Sequence, residues 1–303
     1  MRALVALGGN ALLHRGEPAE ASNQSVNLAA AAEALARVAG EHELVLTHGN
    51  GPQVGLLALG NEGYEPVAPH PQDVLGAESE GMIGYMLELA LRNALPDRHL
   101  VTVLSEVVVS ADDAAFGTPS KPIGPLYSAE EARRLAAERG WSIGPDGQGF
   151  RRLVPSPEPR AIVELRSLRM LVDGGVLVIC ASGGGIPVAL NGVGTMQGVE
   201  AVVDKDLTAA LLARRLDVDV LVMLSDVDAV HLDWGGEAER ALGRVTPADL
   251  RRHEFASGSM APKVDAACRF VEATGRRAAI GELTKAVEIV RGESGTQILA
   301  PSA

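Results

Sequence analysis

Apolar and polar positions along the chain follow a pattern of alternating strands and helices. Short apolar runs predict buried strands at 4–7, 44–47, 100–109, 176–180, 218–224 and 278–280. Helical periodicity between these runs predicts helices at 22–40, from residue 52 onward, and at 74–95, 159–173, 206–216 and 260–274. Strands that alternate with helices form a mainly parallel sheet with helices on both faces. The pattern therefore predicts an α/β fold.

One stretch, 110–157, departs from this pattern. It is rich in proline, glycine and charged residues, and it contains one clear short helix. A capping box from Ser128 to Glu131 begins that helix, and Gly140 ends it. The stretch is either a lid or small subdomain, or a surface insertion without function. The presence of Lys121 within it favours the lid.

Glycine-rich turns adjoin several of the predicted elements. In an open parallel sheet, the turns after the strands meet at one edge, where ligands bind. Glycine there lets backbone N–H groups approach an anion closely, and helix N-termini add positive potential. The turns are Gly8, Gly9 and Asn10; Gly49, Asn50 and Gly51; the Gly183 and Gly184 turn; and the turn at 258–260. They predict a phosphate-binding edge.

Lysine is scarce in this chain. Only four lysines occur against 23 arginines, and three of them, Lys121, Lys205 and Lys263, lie in motif-like segments, whereas Lys285 lies in an ordinary helix. A compact ammonium on a flexible stem can place a point charge on a phosphate in a tight site. Asp206 follows Lys205 directly, and an aspartate between two lysines can keep both charged. The lysine positions therefore indicate phosphate chemistry, with chance retention as the alternative.

Composition and missing motifs exclude several other functions. The net charge of −12 argues against nucleic-acid and anionic-membrane partners. No apolar stretch reaches membrane-spanning length, and glycines break the first apolar run too early for a signal peptide, so we expect a cytoplasmic protein. Cys180 and Cys268 indicate buried thiols of a reducing compartment. The sequence lacks a Walker A loop, a dinucleotide fingerprint, a hydrolase elbow and a zinc-binding histidine pair.

Eight segments carry a family resemblance. They are V-A-L-G-G-N-A-L (5–12), H-G-N-G-P-Q-V-G (48–55), G-M-I-G-Y (81–85), K-P-I-G-P (121–125), R-R-L-V-P-S-P-E-P (151–159), G-G-G-I-P-V (183–188), G-V-E-A-V-V-D-K-D (198–206) and G-S-M-A-P-K (258–263). Together they resemble the carbamate kinase branch of the amino-acid kinase family. The resemblance runs nearly the full length, and K-P-I-G-P and the V-P-S-P run are its most discriminating segments.

The resemblance implies a fold and a reaction. It implies a three-layer αβα sandwich with an eight-stranded, mainly parallel open sheet and a protruding subdomain at 110–157. Within a single domain of residues 1–303, residues 1–197 would bind carbamate or carbamoyl phosphate, and residues 198–303 would bind the nucleotide. The implied reaction is reversible phosphoryl transfer between ATP and carbamate, giving ADP and carbamoyl phosphate. Mg²⁺ would accompany the nucleotide without an assigned protein ligand, and a homodimer is implied.

The resemblance also implies roles for individual residues. Lys121, Lys205 and Lys263 would stabilise charge on the transferring group, with Asp206 as the organiser of the lysines. The substrate-binding residues would be Gly8, Gly9, Asn10, Gly49, Asn50, Gly51, Gly183 and Gly184. The nucleotide-binding residues would be Ser225, Asp226, Val227, Asp228, Met260 and Lys263.

Two departures from the family pattern stand out. Ser182 occupies a position where many relatives have glycine, which is compatible with a negative φ, and Ser110 replaces a frequent aspartate at the root of the subdomain. Two other functions remain as alternatives. One is a kinase with another acceptor, such as an amino acid, acetylglutamate or UMP, and the other is a nucleotide-binding regulator without catalysis. The sequence leaves open whether the enzyme serves arginine breakdown or carbamoyl phosphate supply.

Overall fold

A computed structural model describes residues 1–9, 12–13, 17–18, 20–63, 68–256 and 260–301 of the chain. Its helices are α1 Ala21–Glu41, α2 Gly51–Glu62, α3 Gln72–Ala94, α4 Ala129–Arg139, α5 Leu165–Asp173, α6 Lys205–Arg215, α7 Pro247–Leu250, α8 Met260–Thr274 and α9 Ala286–Arg291. Its first strands are β1 Arg2–Leu7, β2 Glu43–His48, β3 Leu100–Val103, β4 Glu106–Val108, β5 Lys121–Tyr127, β6 Ser142–Asp146, β7 Gly149–Val154 and β8 Ala161–Ile162. The remaining strands are β9 Leu177–Cys180, β10 Ile186–Leu190, β11 Met196–Gly198, β12 Val220–Ser225, β13 His231–Leu232, β14 Arg240–Ala241, β15 Arg244–Val245, β16 Arg277–Glu282 and β17 Thr296–Ile298.

An eight-stranded sheet forms the centre of the fold, with the strand order β15-β17-β16-β12-β1-β2-β9-β3. Its neighbouring strands pair in parallel, except that β17 runs antiparallel to β16. The five central strands are continuous apolar runs because both of their faces are covered. The predicted α/β fold with a mainly parallel sheet is confirmed.

The two faces of this sheet build separate hydrophobic layers. Alternate residues of β1 point to opposite sides, with Leu4 and Ala6 in one layer and Ala3, Val5 and Leu7 in the other. The first layer packs against α5, α6 and α8, and the second packs against α1, α3 and α9. Small alanines line these helices and allow them to approach the strands closely. The result is a three-layer αβα sandwich.

Two predicted elements differ from the structure. The predicted strand 100–109 breaks after Val103, and its second half, β4, joins a second sheet with the order β11-β10-β4-β8. The predicted helix 159–173 begins only at Leu165, because residues 161–162 form β8 and pair antiparallel with β4. The Glu164 carboxylate, just before α5, accepts a hydrogen bond from the backbone N–H of Glu106 at 2.9 Å. Pairing across about 50 residues of sequence therefore overrides the local pattern here.

Residues 121–154 form a separate three-stranded antiparallel sheet in the order β5-β7-β6, and α4 packs against it. Ser128 caps α4 by accepting a hydrogen bond from the Glu131 backbone N–H at 3.2 Å. Gly140 ends the helix in the left-handed conformation, with φ of 66°. Among the described helices, none combines the length and apolar character needed to cross a bilayer.

Candidate active site

The carboxyl ends of β1, β2, β9 and β12 lie at one edge of the main sheet, and the chain order reverses on either side of β1. Such a reversal opens a crevice in which ligands bind. The Gly8 N–H donates to the Leu224 carbonyl at 2.9 Å, and the Gly49 N–H donates to the Leu7 carbonyl at 3.0 Å. These bonds draw the first two glycine turns together at the crevice. Asn10 lies outside the described residues.

The glycine turns approach one another too closely for side chains. A Cβ on Gly49 would lie 3.1 Å from the Gly9 nitrogen. Gly183 has φ of +65°, and a Cβ there would lie 2.2 Å from Asn50 Nδ2. The Asn50 side chain sits just before α2 and donates to Ser79 Oγ at 2.8 Å. The structure thus brings the described residues of the predicted substrate turns together, with Gly51 opening α2.

The N-terminus of α6 adjoins these turns. A Cβ on Gly184 would lie 2.2 Å from the Val203 carbonyl oxygen, so only glycine allows this approach. Asp204 caps α6, and its Oδ1 accepts hydrogen bonds from the N–H groups of Asp206 at 2.9 Å and of Leu207 at 3.2 Å. Lys205 and Asp206 therefore stand on the first turn of a helix that points at the crevice.

Asp206 lies between two lysines. Its Oδ1 is 2.8 Å from Lys205 Nζ, and its Oδ2 is 3.1 Å from Lys263 Nζ. All three side chains are nearly buried, with exposed fractions of 7% for Asp206, 11% for Lys205 and 12% for Lys263. Burial works to raise the pKa of Asp206, but the two ammonium groups outweigh it and hold the pKa well below the usual range.

The Lys205 ammonium has N–H donors that lack an acceptor among the described residues. Its Nζ is buried and close to Asp206 Oδ1, yet the geometry falls short of a directed hydrogen bond, and neither atom has another partner among the described residues. Burial lowers the pKa of Lys205, and the neighbouring Asp206 opposes that shift. Burial also lowers the pKa of His48 to about 4, and the nearby Lys205 charge acts in the same direction, so the imidazole is neutral. A buried ammonium with open N–H groups is suited to binding an anion.

Lys121 reaches this cluster from the separate sheet. Its ammonium donates to Asp204 Oδ2. The backbone N–H of Val202 donates to the Pro155 carbonyl at 2.9 Å, which attaches the residues before α6 to the end of β7. Strand β5 of the separate sheet also lies close to α2, because a Cβ on Gly55 would lie 2.2 Å from Gly124 Cα. Three motif lysines therefore converge on the first residues of α6.

Four of the predicted nucleotide residues lie at the end of β12, and the other two lie on the first turn of α8. Ser225 ends this strand, and its hydroxyl donates to Asp226 Oδ1 at 3.1 Å. Val227 follows in the same turn. A hydrogen bond from His231 Nε2, at 2.8 Å, lowers the pKa of Asp228. Met260 begins α8, which places Lys263 on its first turn, whereas residues 257–259 are not described.

Sequence reasoning missed the carboxylates of Glu80 and Asp204 at this edge, and it missed the hydrogen bond between His48 and Ser182. Glu80 of α3 accepts hydrogen bonds from the N–H groups of Ser182 at 2.9 Å and of Ser105 at 3.3 Å. The backbone φ of Ser182 is not positive. Its Oγ accepts a hydrogen bond from the backbone N–H of His48 at 3.4 Å. The backbone at position 182 is thus compatible with a serine side chain. Asp204 had a signal as an N-cap residue, but Glu80 had none.

No group of three or more His, Cys, Asp and Glu side chains in the described ranges could hold a metal ion. Lys285 lies apart from the lysine cluster. Its Nζ is 2.8 Å from Glu282 Oε1, and its side chain is 52% exposed.

Comparison with known proteins gives one consistent result. The sequence model of the amino acid kinase family matches residues 1–282. The chain is 51% identical over 299 residues to the carbamate kinase of Haemophilus influenzae, covering 98% of this chain and 96% of that protein. It is 52% identical over 301 residues to the carbamate kinase of Rhizobium meliloti, covering 98% and 93%. The solved structure of carbamate kinase from Giardia lamblia bound to AMP-PNP matches with a TM-score of 0.90 and 38% identity, covering 99% of this chain and 98% of that one.

Proposed function

The chain belongs to the amino acid kinase family, and we propose that it is a carbamate kinase. The reaction is reversible phosphoryl transfer between ATP and carbamate, which gives ADP and carbamoyl phosphate. Relatives of that name share about half of its residues over nearly their whole length. The family is a family of phosphotransferases, and the acceptor and the roles of individual residues are what the proposal adds.

The observation that carries this proposal is the Lys205–Asp206–Lys263 cluster. Two ammonium groups flank one buried carboxylate at a helix N-terminus, and Lys205 Nζ has donors without an acceptor in the part of the chain that the structure describes. Phosphoryl transfer needs positioning and neutralisation of charge on the transferring oxygens more than it needs covalent chemistry. The two lysines keep Asp206 ionised in a buried place, and Asp206 opposes the lowering of the Lys205 pKa by burial. The cluster supports a site that binds a phosphoryl group as it moves.

The acceptor needs no general base, because carbamate is already an anion. The barrier lies in the repulsion between that anion and the γ-phosphoryl group. We assign Lys205 and Lys263 to the phosphoryl oxygens and Lys121 to the acceptor side of the same group, in an in-line transfer. The glycine turns at Gly49 and Gly183 allow close backbone approach, and we assign to them the exclusion of water from the transferring group. Water exclusion also protects carbamate and carbamoyl phosphate, which are unstable.

The nucleotide is assigned to the end of β12 and the start of α8. A solved relative from Giardia lamblia is bound to AMP-PNP, which supports a nucleotide site, and the family resemblance of the motifs assigns Ser225, Asp226, Val227, Asp228 and Met260 to that site. Mg²⁺ usually keeps several waters and binds through substrate phosphates with one or two carboxylates. The described residues contain no group of three or more His, Cys, Asp and Glu side chains that could hold a metal, which fits a metal that would arrive with the nucleotide phosphates. When bound, the metal shields the charge of the phosphates.

A coupled assay of ATP formation from ADP, Mg²⁺ and carbamoyl phosphate tests the proposal. We expect ATP from the wild-type chain and a kcat lower by about 10²-fold or more for Lys205→Ala, by analogy with the loss of one preorganised donor. The matched control is Lys285→Ala, which removes an exposed lysine and should leave the rate unchanged. Absence of ATP formation, with phosphorylation of acetylglutamate, an amino acid or UMP instead, would move the chain to another branch of the family.

We also infer that the chain works as a homodimer. Tyr85 and Leu89 lie one turn apart on α3 and are 65% and 48% exposed, and Leu104 beside Gly81 is 49% exposed. Apolar side chains grouped on one face favour burial against a second copy. Light scattering should give twice the chain mass for the wild type and a monomer for Tyr85→Glu. Met170→Glu, at a 70% exposed residue of α5, serves as the control and should stay dimeric.

A further inference from the structure

We propose that Asp204 is a positioning residue that holds Lys121 of the separate sheet at the N-terminus of α6. The inference rests on the proposed phosphoryl transfer, since it concerns how Lys121 reaches the transferring group. No motif role was assigned to Asp204 from the sequence. Its place in the structure gives it one.

The Asp204 carboxylate divides its two oxygens between two tasks. Oδ1 accepts the N–H groups of Asp206 and Leu207 at 2.9 and 3.2 Å, which caps α6. Oδ2 accepts the ammonium of Lys121. One rigid side chain thus joins the helix terminus that carries Lys205 and Asp206 to the lysine that comes from β5. A cap alone would need only one of the two oxygens.

The ion pair lies at the end of a continuous contact between the separate sheet and the segment before α6. Val202, two residues before Asp204, packs in a small apolar cluster with Ile123 and Val154. The Val202 N–H also donates to Pro155 at 2.9 Å. These contacts bring the start of β5 beside residue 204, but apolar packing does not fix the direction of a flexible lysine stem. The carboxylate does.

Burial strengthens this restraint. The Asp204 side chain is 12% exposed and that of Lys121 is 31% exposed, so solvent competes less than at a surface pair. An ammonium has three N–H donors, and Asp204 occupies one of them. With respect to the described residues, two donors remain for phosphoryl or acceptor oxygens. Asp204 therefore orients Lys121 without removing its ability to bind an anion.

The substitution Asp204→Asn separates the two tasks. Asparagine is as good an N-cap residue as aspartate, so α6 keeps its cap, but the negative charge that holds Lys121 is lost. We expect kcat for ATP formation to fall by about 10-fold to 100-fold, because a small misplacement of a catalytic group has that cost. The KM for ADP and the melting temperature should change little. The matched control is Asp113→Asn, another N-cap aspartate, which accepts from the Ala115 N–H at 2.9 Å.

A double-mutant cycle with Lys121→Met decides whether Asp204 acts through Lys121. Asp204→Asn should cause no further loss of kcat in the Lys121→Met background, whereas its loss should multiply with that of Lys263→Met. An equal loss in both backgrounds, or a wild-type kcat for Asp204→Asn, overturns the proposal. A wild-type chain that forms no ATP refutes the proposed function instead.

Stability measurements test whether Asp204 has only a structural role. If Asp204→Asn melts well below the wild type, Asp204→Ser replaces it in the cycle, because serine also caps helices without charge. Loss of cooperative melting in both variants assigns Asp204 to folding alone and overturns the proposal.

Discussion

The buried carboxyl group of Glu80 makes the stability of this protein depend on pH. Glu80 is 1% exposed, between the end of β9 and the start of β4. Burial raises its pKa to about 8, two backbone N–H bonds oppose the shift, and the nearby Glu164 adds to it. Cys180, whose pKa is itself raised by burial and by both glutamates, also faces this group. Glu80 is therefore protonated in the folded protein at neutral pH.

The expected effect follows from the ordinary glutamate pKa of 4.5 and the pKa of about 8 that Glu80 has in the folded protein. Below pH 4.5 both states hold the proton, and above pH 8 neither does. Between these limits the unfolded chain releases the proton and the folded chain keeps it, so stability falls as pH rises. Each pH unit in this range lowers the free energy of unfolding by about 1.4 kcal/mol. From pH 5 to pH 8 this single group should therefore lower the free energy of unfolding by about 4 kcal/mol.

The substitution Glu80→Gln removes this titration. Glutamine cannot accept from both N–H groups, which lowers stability by an amount that does not depend on pH. We compare the free energies of unfolding in urea at pH 5, 6, 7 and 8 for the variant and the wild type. The difference should move in favour of the variant by about 4 kcal/mol across this range.

Glu88→Gln on the same helix is the matched control. The Glu88 carboxylate also accepts a backbone N–H, that of Thr102 at 2.7 Å. Burial acts to raise its pKa, but Arg92 and the Thr102 hydrogen bonds outweigh burial and lower it. Its stabilisation is therefore present above pH 4.5 and is lost only as pH falls further, so the difference from wild type should be flat from pH 5 to 8. A flat difference for Glu80→Gln as well would refute the reasoning, because the two N–H bonds would then outweigh burial.

Three further predictions concern packing and charge. Lys205→Arg should lower kcat by about 10²-fold or more in the coupled assay, because the planar guanidinium is too wide for a buried ammonium site, and an active variant would contradict this interpretation of the lysines. Gly55→Ala should lower stability in thermal melts by about 1–3 kcal/mol, since its Cβ would lie 2.2 Å from the Gly124 backbone, whereas Gly60→Ala on the same helix meets nothing within 4 Å and should not be destabilising. Burial raises the pKa of the Cys180 thiol, so iodoacetamide should modify it only after unfolding, and mass spectrometry of a modified native chain would contradict this.

Local pattern was sufficient for the main sheet but not for the second one. The runs at 4–7 and 218–224 predict strands because they are almost wholly apolar, and β1 and β12 lie within a residue or two of those limits. The run 100–109 is also largely apolar, yet it divides at Leu104 and Ser105. Its second half pairs with β10 and β8, which lie about 50 to 80 residues later in the chain. No local signal records which distant strand a run will join, so such breaks escape sequence reasoning.

The candidate site shows the same division. Motifs identified Lys205, Asp206 and Lys263, and the structure places them within hydrogen-bonding or ion-pairing distance. The partner of Lys121 was not predictable, because Asp204 lies 83 residues away and has the local features of an N-cap. Glu80 was equally hidden, since a glutamate in an amphipathic helix ordinarily faces solvent. Sequence patterns report what a residue does for its own element, whereas these two carboxylates act between elements.

The charges at the start of α6 give an acidic protein a local site suited to the anionic substrates that we propose. The whole chain carries a net charge of −12, which repels nucleotides and carbamoyl phosphate at long range. At the site, three lysines face two aspartates, so one net positive charge remains next to the positive end of a helix. Asp206 opposes the lowering of the Lys205 pKa by burial, and the charges of Lys205 and Lys263 hold the pKa of Asp206 well below its usual range. Under the proposed mechanism Asp206 thus supports the charge of Lys205, whereas Asp204 orients Lys121, so both carboxylates act through the lysines that they contact.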